Sequence, residues 1–130
     1  MFNFFKSEKS NDGNRALVAI LKNGNVIIKD PKSNSTVRNI LYGSTKGKPV
    51  NCQVSPDSQL VVATTDKGLV CISEIKSGSM IKEWGNTYKF GNGAKAISAT
   101  WIDNETLIVA TDKSTTYKLK YKSGITTKIS

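Results

Sequence analysis

At 130 residues and 14.1 kDa the chain has room for one domain and too little for two ordinary ones. Nineteen Lys plus Arg against ten Asp plus Glu give a net charge of +9, and 38% of residues are hydrophobic, too many for a disordered chain. Histidine is absent, which excludes His-based catalytic triads, His-containing zinc sites and the usual general base.

Met1 to Phe5 is apolar but meets Lys6 and Glu8 too soon for a signal peptide, and the expectation is a chain without leader or membrane anchor. Phe2 to Phe5 is the only candidate for a strand before residue 16, and the polar stretch 6–14 reads as a mobile loop. From there short runs rich in Val, Ile, Thr and Tyr alternate with turn residues, and helical periodicity is nearly absent. Ala16 to Leu21 leads through Asn23-Gly24 to Asn25 to Lys29. That is a hairpin, because Asn and Gly tolerate the positive φ a tight turn needs. Thr36 to Leu41 follows as a third strand. The middle of the chain gives Val50 to Ser55, Leu60 to Thr65, Leu69 to Ile75 and Met80 to Trp84. The last part gives Ala96 to Ile102, Leu107 to Thr111, Thr115 to Tyr121 and Ile125 to Ile129.

The spacing is regular. Gly24 and Gly68 lie 44 residues apart, and Ser77-Gly78 and Ser123-Gly124 lie 46 apart. Leu60-Val61-Val62-Ala63-Thr64 and Leu107-Ile108-Val109-Ala110-Thr111 are offset by 47, so one residue is expected to be lost in the third hairpin's turn. A period in this range marks a modular array. The reading is an all-β chain of three four-stranded antiparallel repeats, at about residues 1–45, 46–90 and 91–130. An evenly spaced β-barrel or sandwich is the alternative.

The segment from Val50 to Gly68 resembles a blade of the WD-repeat β-propeller family, with Ser55-Pro56-Asp57 and Asp66-Lys67-Gly68 matching the family pattern. Lys76-Ser77-Gly78 fits the turn before the last strand. The Trp-Asp signature would fall at Ser73-Glu74 and at Lys29-Asp30, so its Trp is missing, and no Gly-His pair exists. The resemblance implies a degenerate propeller module and protein–protein scaffolding. Closed propellers use about 4–8 blades. Three blades therefore predict an incomplete propeller completed by association, with a second copy or with a partner chain.

Few residues suggest chemistry. Asp57, Asp66 and Asp112 read as turn residues accepting hydrogen bonds from nearby backbone N–H groups. Cys52 and Cys71 fall on strands separated by a third, ~9–10 Å apart from two strand spacings and beyond disulfide reach. Free thiols favour a reducing compartment such as the cytosol. Without His and with two Cys no zinc site or activated thiol is expected, and no cofactor loop is present. No enzymatic activity is expected.

The basic balance reaches further. Lys118, Lys120 and Lys122 fall on one face of a strand, and Tyr117, Leu119 and Tyr121 on the other. Such a row could follow phosphates or an acidic protein surface, or serve only to keep an outer strand soluble. Trp84, Tyr88 and Phe90 are candidate binding aromatics, with packing between repeats as their ordinary use. Phe2, Phe4 and Leu119 are the expected assembly residues on the open end faces. The functional expectation is a non-enzymatic interaction or scaffold module. Its rival is a basic β-domain that binds single-stranded nucleic acid or another polyanion without sequence preference.

Overall fold

The structure, a computed structural model, describes residues 16–85, 89–91 and 93–130. Every regular element among them is a β-strand, arranged in three antiparallel meanders. The first sheet holds β1 (Val18–Lys22), β2 (Asn25–Asp30) and β3 (Ser35–Ile40). The second holds β4 (Pro49–Val54), β5 (Leu60–Thr65), β6 (Val70–Glu74) and β7 (Met80–Trp84). The third holds β8 (Ala96–Trp101), β9 (Thr106–Thr111), β10 (Thr116–Lys120) and β11 (Ile125–Lys128). The expected opening strand at Phe2 to Phe5 lies outside the described residues, so the first sheet has three described strands where its neighbours have four.

The β1–β2 hairpin forms as the sequence requires. Asn23 and Gly24 take φ of 55° and 78°, both in the left-handed region, and Lys22 faces Asn25 across the two-residue loop. The offset of 47 between the β5 and β9 sequences is corrected by the register. Val54 faces Val61 in the second sheet, and Trp101 faces Leu107 in the third. The lost residue therefore lies in the β8–β9 connection, not in the following turn. That turn is conserved in length: Thr65 N–H bonds to Leu69 O and Thr111 N–H to Thr115 O, each at 3.0 Å. Gly68 and Ser114 both sit at positive φ. Similar letters, Leu-Val-Val-Ala-Thr and Leu-Ile-Val-Ala-Thr, are thus one step out of phase, and in a strand one step exchanges the two faces.

Two apolar seams join the sheets. Val26, Ile28 and Ile40 of the first sheet meet Val61, Ala63 and Ile75 of the second. Val62, Val70 and Ile72, on the opposite face of the second sheet, meet Val109, Leu107 and Leu119 of the third. Being covered on both sides, β5 is buried along its whole length, which explains its unbroken apolar run. Polar bonds pin the second seam: Trp101 N–H reaches Gln53 Oε1 at 2.8 Å, its indole N–H reaches Gln53 O at 3.1 Å, and Asn51 Nδ2 reaches Ile97 O at 2.7 Å. Across the first seam Leu17 N–H bonds to Ser58 Oγ at 3.1 Å and Arg38 Nε to Ile75 O at 3.0 Å.

Candidate interaction faces

The turn carboxylates do more than hold their own turns. Asp57 Oδ1 accepts from Ser55 Oγ at 2.7 Å and from Gln59 N–H at 3.1 Å, as expected locally. Asp66 Oδ1, however, accepts from Lys48 N–H at 3.0 Å, while Asp66 N–H donates back to Lys48 O at 2.9 Å. Asp112 and Lys95 repeat this clasp at 2.9 Å and 3.0 Å. The donors are 18 and 17 residues away, so each clasp ties the tip of a sheet's central hairpin to the entry of its first strand. Gly47 beside the clasp has a φ of 86°, and a side chain there would collide with the Asp66 carboxylate.

The thiols are unreactive by placement. Cys52, Ala63 and Cys71 form one cross-strand row facing the first sheet, so the two cysteines are separated by β5, two strand spacings apart, and both thiols are free. Burial pushes the Cys71 thiol up to about 12, with the nearby Glu83 charge adding to the shift, and burial also raises Cys52. A thiol held protonated is a poor nucleophile. The hydroxyls of Tyr42 and Ser73 are buried in the first seam, and burial pushes the Tyr42 phenol up while the neighbouring Ser73 hydroxyl offsets part of that shift.

Of the expected binding aromatics, Phe90 is 1% exposed and meets Tyr117 edge-on at 5.9 Å. Trp84 is half-buried against the second seam. These two are therefore packing residues, and Phe90 has no surface to offer a ligand. Tyr88, Phe2 and Phe4 lie outside the described residues. Leu119 is corrected as an assembly residue: alternation turns it inward, and it is wholly buried in the seam against the second sheet. A charge placed there would test folding rather than association.

The lysines divide. Lys118 and Lys120 are exposed on the outward face of the third sheet, where Lys118 stands between Ile108 and Thr127, and Lys120 between Thr106 and Ile125. Lys122 lies beyond the strand, in the turn, and pairs with Glu105 at 3.2 Å. That exposed ion pair raises the Lys122 ammonium. Asp103 is held below the ordinary carboxylate range, mainly by the Glu105 backbone N–H and in small part by Lys120. Lys118 makes no ion pair among the described residues.

At the other end of the array is a face that the residue types alone did not single out. Ile20, Ile27 and Asn39 form one cross-strand row, and Val18, Lys29 and Thr36 the next. This row pattern points away from the second sheet. Val18 is 41% and Ile20 39% exposed, and Ile27 is partly exposed between Lys22 and Lys29. The register makes Val18, Ile20 and Ile27 the equivalents of Val61, Ala63 and Cys71, all fully buried against a neighbouring sheet. The repeat spacing holds this signal, because an apolar position that faces the preceding sheet in the second copy has its counterpart on the outward face of the first.

Three antiparallel meanders stacked face to face in chain order, without closure, define a propeller-like fold with blade-like sheets. Among solved structures, a chain of the crystal structure of a mitotic checkpoint complex shares this arrangement with a TM-score of 0.70 over 90% of the present chain, at 16% identity. The present chain spans 33% of the length of that chain, and at such identity the likeness is one of fold. No protein-family model and no curated protein matches the sequence.

Proposed function

We propose that the chain is a non-enzymatic interaction module, a degenerate WD-like set of three blades that docks blade against blade with further protein. The observation that carries this reading is the exposed Val18–Ile20–Ile27 stripe, whose equivalents in the second sheet are buried under a neighbour. Apolar side chains repeated in register on an outward sheet face are what a blade uses to meet the next one. The rigid seams supply the presentation, and the turn-bound carboxylates and protonated thiols support a role without bond-making chemistry. Unpaired thiols favour a reducing compartment such as the cytosol.

The test is whether that face is open to docking. An apolar fluorescent dye should bind the folded protein, and Ile20→Asp should abolish binding while leaving the near-ultraviolet spectrum of Trp84 and Trp101 unchanged. Dye binding that survives the substitution, or no binding by the wild type, would remove the basis of this reading.

A further inference from the structure

The two ends of the array carry the same sign of charge. At the first sheet Lys22 and Lys29 flank the Val18–Ile20–Ile27 stripe. Asp30 is the one acid between residues 16 and 45, and it is buried on the opposite face of β2, in line with Val26 and Ile28. At the third sheet Lys118 and Lys120 stand on the outward face, at positions that the register equates with the buried Ile72 and with Glu74 of the second sheet. The nearest acids, Asp103 and Glu105, lie in the β8–β9 turn, where Glu105 is already taken by Lys122.

Closing two copies into a six-blade ring would press the third-sheet face of each copy onto the first-sheet face of the other. Each joint would then bring Lys118 and Lys120 against Lys22 and Lys29, with no carboxylate among the described residues of either strand face to neutralise them. Like charges brought together while losing water oppose association and suppress that partner. We propose that the end faces exclude a second copy and select a different chain, one that presents carboxylates around an apolar centre. Those carboxylates would sit opposite Lys22 and Lys29 at one end and Lys118 and Lys120 at the other. This inference rests on the docking reading and names the chemistry of its partner.

Charge exchange within the protein itself supplies the acidic partner. The wild type should run at its monomer mass of 14.1 kDa by light scattering at both low and high salt. Lys22→Glu/Lys29→Glu gives each copy one acidic and one basic end and should self-associate at low salt. Lys118→Glu/Lys120→Glu should do the same. Each double variant should gain about tenfold or more in association constant and lose it as salt is added, since several exposed pairs of modest strength form at once. The quadruple variant, acidic at both ends, should return to monomer.

A salt-insensitive wild-type dimer would overturn the inference while leaving the docking reading intact. Double variants that stay monomeric despite dye binding at Ile20 would also overturn it alone, whereas loss of both signals would take the docking reading with it. Binding of a thymine oligonucleotide to the wild type, lost in Lys118→Glu/Lys120→Glu, would reassign the third-sheet face to a polyanion and overturn the inference as well.

Discussion

The outward faces of the first and third sheets correspond to the two opposite faces of one repeat, the pair that meets at each internal seam, and they differ in character. One keeps the apolar residues of an internal joint, Val18, Ile20 and Ile27, and the other replaces a buried isoleucine with Lys118. Terminal units of stacked arrays stay soluble by making their outer face polar. The third sheet goes part of the way, setting Lys118 and Lys120 among Ile108 and Ile125, while the first sheet keeps Val18, Ile20 and Ile27 in a row. The difference gives the array a polarity: an apolar stripe flanked by lysines at one end, and lysines standing among isoleucines at the other.

Exchanging the residues that set this contrast should give the largest effects. Ile72→Lys puts the third sheet's residue into a closed seam and should cost about 3–5 kcal/mol or unfold the protein, whereas Lys118→Ile should move stability by less than about 0.5 kcal/mol. Urea midpoints of the two variants measure this directly, and equal losses would mean the third face is covered. Next in size, Gln53→Ala leaves the Trp101 backbone N–H without its acceptor in the second seam and should cost about 1–2 kcal/mol.

The pH dependence comes third and sharpens which face of the second sheet is dry. The Cys71 thiol, raised by burial to about 12, keeps its proton in the fold, while the unfolded thiol loses it near 9. Stability is thus complete below pH 9 and falls as the pH rises. The loss from this group should reach about 1.4 kcal/mol by pH 10. Cys71→Ala should lack that part of the slope between pH 8 and 10 in urea titrations. Smallest of all, Ile20→Asp should change stability by about 0.5 kcal/mol or less, although the equivalent Ala63→Asp should unfold the chain.

Much of the fold is legible in the sequence because strands, turns and period are local properties. Asn23-Gly24 fixes the first hairpin, and Leu60 to Thr65 and Met80 to Trp84 match β5 and β7 to the residue. What escapes is phase. The β9 sequence resembles that of β5 one step out of register, and only the cross-strand partners of Trp101 and Val54 reveal which residues share a face. The same blindness placed Leu119 on an end face, since alternation says that two faces differ but not which one meets a neighbour. Asn51 and Gln53 look like ordinary strand polar residues, and their part in the seam depends on the adjacent sheet's backbone. Lys118 and Lys120 were readable as an exposed pair. Lys122 was not separable from them until the turn and Glu105 were in place.

The Asp–Lys clasps also bear on the order in which the chain is built and taken apart. In the second and third sheets the clasp joins residues only 18 and 17 apart, so each sheet can close on itself early, at small cost in chain entropy. The β1–β2 turn carries Asn23-Gly24 in place of the clasping Asp, and that sheet leans on its neighbour through Leu17 and Arg38. Opening should therefore begin at the first sheet, and amide exchange in β1 should run ahead of β5 and β9. The least self-sufficient sheet is the one that offers apolar surface, so a protein bound there would quiet its motion as well as cover it.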